Sequence, residues 1–215
     1  MSPRDLLVTN GYVDLGEYHL GKSAMEAAHL IALDFNIKID RLTDPLTVNP
    51  VDAKPKNTYA GNYGFGKLPL HTDLAHWHIP PRYLMLRCVV PDPQVTTLLL
   101  HHREVLSKLP AIVVDRALFR PRRRLNGKMY LLQLRNGGVF RWDQLFLTPE
   151  NKEAFQVQSL MTSDISELKI LDIVFDKPGM TVVIDNWNML HGRSFVKNNS
   201  SPRCIERAYF RENIL

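Results

Sequence analysis

Leu70-His71-Thr72-Asp73-Leu74 is the stretch on which the reading of this chain turns. In an extended segment residues i and i+2 project to one face, so His71 and Asp73 offer an imidazole and a carboxylate to the same point while Thr72 points away. A distant histidine, His191, follows Met180-Thr-Val-Val-Ile-Asp-Asn186, a run of strand formers launched by the turn pair Pro178-Gly179. That places His191 at the end of a buried strand, just before Gly192. Two imidazoles and one carboxylate can occupy one face of a metal ion and leave its remaining positions open for chemistry. The triplet alone is a weak signal in a chain with 8 histidines and 22 acidic residues. The competing reading is a set of stray polar residues packed in a core.

Beyond His191, Arg203, Ile205, Arg207 and Tyr209 alternate along a second strand-like run and share a face. Two guanidinium groups inside one cavity are costly unless an anion meets them, and a dicarboxylate would do so. A histidine–carboxylate cluster beside a cationic anchor is what a mononuclear iron oxygenase with a keto-acid co-substrate requires.

Three segments, Leu70-His-Thr-Asp-Leu74, Asp185-Asn-Trp-Asn-Met-Leu-His-Gly-Arg193 and Arg203-x-x-x-Arg207, together resemble the TauD/TfdA family of Fe(II)- and 2-oxoglutarate-dependent dioxygenases, which includes taurine dioxygenase and gamma-butyrobetaine hydroxylase. The resemblance runs from Tyr63 to the C-terminus, is most specific after Lys177 and weakest from Pro110 to Lys177. It implies a mostly β (α+β) fold, a double-stranded β-helix or jelly roll with flanking helices, spanning residues 1–215 as one domain. It implies His71, Asp73 and His191 as Fe(II) ligands and Arg203 as partner of the distal carboxylate of 2-oxoglutarate. Thr97, with Thr96 as the neighbouring alternative, is implied as a hydroxyl on that same carboxylate. Arg207 falls at the family's second arginine, near the proximal carboxylate or the substrate's own acid group. The implied reaction consumes O2 and 2-oxoglutarate, releases succinate and CO2, and hydroxylates an aliphatic C–H bond of a small carboxylate-bearing or amino-acid-like substrate. Related halogenases carry a small residue in place of Asp73, so the intact carboxylate points to hydroxylation. The chain is shorter than the family pattern at its N-terminal part, which implies a more open pocket or closure by a second copy in a homo-oligomer.

Composition bounds the alternatives. A chain of 215 residues, 45% of them hydrophobic, can bury one sizeable core. Cys88 and Cys204 each sit in an apolar run and suit buried thiols in a reducing compartment. No continuous apolar stretch marks a signal peptide or a membrane span, so a soluble cytoplasmic protein with no membrane partner is expected. Much of the net charge of +5 lies in Arg116, Arg120, Arg122, Arg123, Arg124 and Lys128, read as an exposed loop ending at Asn126-Gly127. Such a loop is a solvated run, a lid, or a polyanion contact. With few aromatics interleaved, nucleic acid is an unlikely partner. A basic polyanion-binding protein and a catalytically silent metal-binding relic are the alternative functions.

Residues 5–18 read as an entry strand, 23–35 as a helix opened by the capping box Ser23-Ala-Met-Glu26, and 41–56 as a loop. The glycines of Tyr59-Ala-Gly-Asn-Tyr-Gly-Phe-Gly66 would let the backbone bend across the cavity mouth. Further strands are expected at 83–90, 129–134, 138–142, 170–175, 180–185 and 204–210, with helices at 101–109 and 150–161. His76, Trp77 and Tyr63 lie close in sequence to the metal triplet and are candidates for the substrate wall, against surface or core roles. Arg141 reads as a partner of Asp143 at a strand end or as a substrate clamp, and Arg193 as a substrate-anion contact or a partner of Asp185.

Overall fold

The run Tyr83-Leu-Met-Leu-Arg-Cys-Val-Val90 has almost no polar face to offer water, so a strand built from it must be covered on both sides. The computed structural model, which describes residues 1–51, 55–124, 127–163, 165, 167–197 and 202–213, shows how. One antiparallel sheet has the strand order β1 (Tyr12–Glu17), β12 (Met180–Asp185), β4 (Tyr83–Val90), β14 (Cys204–Glu212), β2 (Ile37–Thr47). A second has the order β11 (Leu171–Val174), β5 (Thr96–His101), β13 (Met189–Arg193), β3 (Leu68–His71). The chain passes from one sheet to the other at each step through β3, β4 and β5, and again through β11, β12, β13 and β14.

The two-residue period of the strands sorts their side chains into separate cores. Leu84, Leu86, Val182, Ile184, Ile205 and Tyr209 of the larger sheet meet Leu99 and Met189 of the smaller one. Their neighbours Tyr83, Met85, Val183, Ala208 and Phe210 face the opposite way, against Leu7 of α1 (Pro3–Asn10) and Ala27, Ala28 and Ile31 of α2 (Ala24–Asp34). Leu98, Leu100, Leu190 and Leu70 on the outer face of the smaller sheet pack against an insertion between β5 and β11. The one-turn α3 (Ala60–Tyr63) precedes β3, and the insertion carries α4 (His102–Leu106), α5 (Ala111–Arg116), α6 (Lys152–Thr162) and the short strands β6 (Leu118–Pro121), β7 (Leu132–Gln133), β8 (Arg135–Asn136), β9 (Val139–Phe140) and β10 (Leu147–Pro149). Among the described residues no helix is long and apolar enough to cross a membrane. Cys88 and Cys204 are both unbridged, the first buried and the second half-buried.

The structure differs from the sequence reading at three places. Residues 3–10 form a helix before β1 begins, because Ser2 and Asp5 close a capping box with Pro3 in the first turn. Residues 41–47 continue β2 instead of opening a loop. As the edge strand of its sheet, β2 tolerates both Pro45 and an exposed polar face. The basic residues 116–128 do not form one loop. Arg116 ends α5, Arg120 in β6 pairs with Glu150, and Arg122 donates to the Gln144 carbonyl at 3.0 Å, while Arg123, Arg124 and Lys128 are exposed. Asn126 lies outside the described residues.

β3 and β13 meet with an irregular register, His191 opposite His71 but Arg193 opposite Leu68, and this extra residue in β3 accommodates Pro69, which has no N–H for the ladder. At Gly192 the approach is so close that a Cβ would lie 2.7 Å from the Leu68 carbonyl oxygen. Gly192→Ala should therefore push β3 from β13 and destabilise the protein by about 2 kcal/mol. The urea midpoint checks this, and an unchanged midpoint would refute it.

His102 opens α4 with its Nδ1 2.9 Å from the Asn188 carbonyl and its ring stacked on Phe140, and burial pulls its pKa down to about 4. An unfolded histidine titrates near 6.5, so the unfolded chain binds the proton first. The stability contributed by neutral His102 is complete above that value and is lost as pH falls from about 6.5 towards 4. His102→Gln should flatten the decline of Tm over this window, and an identical slope would count against the assignment.

Candidate metal centre and its cavity

The site is built where the two sheets open at one end. His71 closes β3, Asp73 follows it, and His191 stands opposite His71 on β13. Asp73 Oδ1 lies 3.4 Å from His71 Nε2 and 3.7 Å from His191 Nε2, and the three ligand atoms all fall within 4.8 Å of one another. All three residues are buried, at 3%, 2% and 7% exposure for His71, Asp73 and His191. Adjacent donors of a six-coordinate ion with bonds of about 2.1 Å sit about 3.0 Å apart, close to this spacing.

Local contacts aim the donors. His71 Nδ1 is 2.8 Å from the Pro69 carbonyl, which only accepts, so Nδ1 carries the hydrogen. The neutral ring then turns a lone pair at Nε2 towards the Asp73 carboxylate. Two electron-rich atoms at that distance require a cation between them, a proton or a metal. Burial disfavours the His71 imidazolium, but Asp73 outweighs it and holds the pKa above the ordinary histidine value. His191, by contrast, is held lower, first by burial and then by the neighbouring His71 charge. The donor set, two buried imidazoles and one buried carboxylate, fits a divalent transition ion.

Asp73 divides its two oxygens between tasks. Oδ1 faces the histidines, while Oδ2 accepts from Tyr209 Oη at 2.8 Å and from Arg207 Nη1 at 3.1 Å. Burial would raise the Asp73 pKa, yet Arg207 and His191 keep it well below the usual carboxylate range. The backbone at Asp73 is clasped as well. Asn186, fully buried after β12, accepts from the Asp73 amide at 2.7 Å and donates to the Asp73 carbonyl at 3.0 Å and the Pro81 carbonyl at 2.9 Å. The next residue, Leu74, has φ +57°, a left-handed conformation that a leucine adopts only when its surroundings impose it.

A cavity opens from this cluster between Thr97, Arg203, Arg207, Ile205 and Leu86 on the sheets and Asn49, Tyr59, Tyr63 and Gly64 on the covering segment. Arg203 is 7% exposed and donates to the Thr97 hydroxyl at 2.6 Å. Burial pulls its pKa down to about 10, the mark of a cation held out of water. Thr97 stands opposite Arg193 and Leu99 opposite His191, so the Thr97–Arg203 pair sits two residues of strand, roughly 7 Å, along the sheet from His191. Thr97, rather than Thr96, lines the cavity.

The other candidates disperse. Tyr63 lines the cavity and accepts from Gln144 Nε2 at 3.0 Å. Arg193 also lines it, but its Nη2 donates to the Gly64 and Gly66 carbonyls at 2.6 Å, pinning the covering segment, whose bend is helped by Gly64 at φ +46°. Asp185 belongs to Arg82, at 3.4 Å, and not to Arg193. Arg141 forms no pair with Asp143. It is buried with its guanidinium donating to the carbonyls of Ala75, Trp77 and His78 at 3.0, 2.7 and 3.3 Å, a clasp on the loop after Asp73. His76, Trp77 and Arg141 do not line the cavity of the triad. His76 packs on Phe146, and Trp77 lies under Arg41. Four contributors escaped the sequence reading, namely Asn186, the role of Tyr209, and the pair Tyr59–Asp143, whose tyrosine ring rests 4.3 Å from His71 while its hydroxyl donates to Asp143. Asn186 and Tyr209 lie within the segments that hold His191 and Arg203, while Tyr59 opens the segment read as bending across the cavity mouth and Asp143 was read as a partner of Arg141, so none of the four was assigned its observed role.

No family model matches the sequence, and no curated protein matches it. Solved structures do. The fold is similar to that of asparagine oxygenase AsnO, with a TM-score of 0.68 and 15% identity over 96% of this chain and 76% of that one. Against asparagine oxygenase in complex with Fe(II), 3-hydroxyasparagine and succinate, the match has a TM-score of 0.57 and 20% identity over 71% of this chain and about half, 51%, of that one. PvcB from Pseudomonas aeruginosa matches with a TM-score of 0.66 and 14% identity over 96% of this chain and 77% of that one. The non-heme iron oxygenase OrfP in complex with Fe and alpha-ketoglutaric acid matches with 0.65 and 15% over 99% and 79%. At these identities the likeness is one of fold.

Tyr209→Phe removes one hydrogen bond from Asp73 Oδ2 and leaves the ligand set intact. It should weaken Mn(II) binding by about tenfold, measured by calorimetry. Wild-type affinity in the variant would show that Arg207 alone suffices.

Proposed function

We propose that the chain is an Fe(II)- and 2-oxoglutarate-dependent oxygenase that hydroxylates an aliphatic C–H bond of a small amino-acid-like substrate. The observation that carries this reading is the coexistence, as buried side chains along one cavity, of the His71–Asp73–His191 cluster and the Arg203–Thr97 pair. The cluster alone would suit many metalloproteins. A buried cation and hydroxyl about one strand repeat away add a receptor for the far carboxylate of a five-carbon keto diacid. The passage of the chain between two sheets supports a double-stranded β-helix, with residues 1–215 as one oxygenase domain of the TauD/TfdA type. Solved structures of similar fold include iron oxygenases, among them one bound to hydroxyasparagine and one bound to hydroxyarginine, which supports an amino-acid-like substrate.

In this reading His71, Asp73 and His191 would hold the iron, which together with 2-oxoglutarate and O2 would supply the oxidising equivalents for hydroxylation, with succinate and CO2 as co-products. Tyr209 and Arg207 keep Asp73 ionised and turned so that Oδ1 is the donor. Arg203 and Thr97 orient the co-substrate by its distal carboxylate. Leu86, Ile205 and the covering segment at Tyr59 to Gly64 keep water from the centre.

The test is anaerobic titration with Fe(II) and then 2-oxoglutarate, following the visible charge-transfer band of a chelated keto acid. Wild type should give the band and His191→Ala should not. Arg203→Ala should bind 2-oxoglutarate about 30-fold more weakly while its Fe(II) affinity stays unchanged. Absence of the band from folded wild type, or equal loss of both affinities in Arg203→Ala, would overturn the reading.

A further inference from the structure

The cations that the sequence offers for a substrate acid are all occupied. Arg207 holds Asp73 Oδ2 and, through Nε, the Thr43 hydroxyl at 3.1 Å. Arg193 is spent on two carbonyls of the covering segment, and Arg141 on three carbonyls of the loop after Asp73. Arg203 sits with Thr97 at the co-substrate end. A different arginine is linked to the metal cluster through Tyr209. Arg41 lies on edge strand β2 directly opposite Tyr209, whose hydroxyl reaches Asp73. Its guanidinium carbon is 4.5 Å from the ring centroid of Trp77 and 5.3 Å from that of Tyr209.

Among the described residues, those ring contacts are the only interactions found for the Arg41 guanidinium, and its Nε is buried without a hydrogen-bond partner. Such a guanidinium is unusual, because it carries five in-plane N–H donors and no acceptor. Ring contacts of this kind do not consume the N–H donors, and a guanidinium fork can take a carboxylate in two parallel hydrogen bonds. The nearest acidic neighbour in sequence, Asp40, projects to the other face of β2 and is taken by Arg211. The loop bearing Trp77 is fixed by Arg141, so the stacked arrangement is built into the scaffold before any ligand arrives.

We infer that Arg41, outside the lining of the triad's cavity and joined to Asp73 only through Tyr209, is the anchor for the carboxylate of an amino-acid substrate that reaches from there towards the metal cluster. This rests on the oxygenase reading for its location but on separate residues. It assigns substrate recognition to a strand that the sequence reading treated as a loop.

Calorimetry on wild-type protein, alone and saturated with Mn(II) and 2-oxoglutarate, is the test. Both forms are titrated with the twenty protein L-amino acids and, for each that binds, with its α-carboxamide. At least one amino acid should bind, and its carboxamide should bind about 30-fold more weakly. Arg41→Met, which keeps an apolar stem over Trp77, should lose the same factor for the free acid and nothing for the carboxamide, with 2-oxoglutarate affinity unchanged. Arg41→Lys keeps the charge without the fork and should lose about tenfold for the acid, which preserves the test if the methionine variant does not fold. The inference is overturned if no amino acid binds either form, if Arg41→Met binds the acid like wild type, or if it loses acid and carboxamide equally, as a purely structural clamp would. Failure of the oxygenase reading appears separately, as no binding of 2-oxoglutarate to the Mn(II) protein.

Discussion

A carboxylate that stays charged inside the protein is the constraint around which this molecule is arranged. Asp73 is 2% exposed, and an isolated charge at that depth would neutralise itself by taking a proton. Arg207 and Tyr209 on one oxygen, and two imidazoles on the other, prevent that. The same partners make the group directional. With Oδ2 saturated by two donors, Oδ1 is left to whatever cation lies between it and the histidines.

Holding that arrangement requires three separate pieces of chain to agree in position. A bulge at Pro69 brings His71 onto His191 and supplies the carbonyl that sets the imidazole's hydrogen. Gly192 removes the side chain that would keep β3 and β13 apart. Asn186 fastens the amide and carbonyl of Asp73, which forces Leu74 into a left-handed turn and sends the next residues away from the sheet. The insertion then clamps the far side of that turn through Arg141. The buried arginine contributes order here and leaves the chemistry to its neighbours.

Much of this was legible in the chain. The strand runs at 83–90 and 180–185 matched their elements because a strand covered on both faces is written as continuous apolar sequence. The α2 helix was marked by its capping box at Ser23 and Glu26. The helix at Pro3 had the same kind of marker in Ser2 and Asp5, and the polar alternation after it obscured the signal. β2 was misread because an edge strand is allowed proline and charge that a central strand is not. His71 and Asp73 still converge although Asp73 lies in the turn just after β3, and Arg203 and Arg207 both line the cavity although Arg203 precedes β14 and that strand is bulged, so the local spacing was right while the regular strand behind it was not.

What the sequence by itself determined was therefore the inventory of the site and the local direction of each side chain, since both follow from residue type and backbone period. Which cation serves which anion was decided only by the tertiary structure. Arg207 on β14 of one sheet meets Asp73 just after β3 of the other, Arg193 and Arg141 go to backbone carbonyls, and Arg41 reaches Trp77 and Tyr209 because β2 pairs with β14. Arginines are alike in composition and in pattern. Their partners are set by through-space distances between strands far apart in the chain, and a local pattern does not encode those distances.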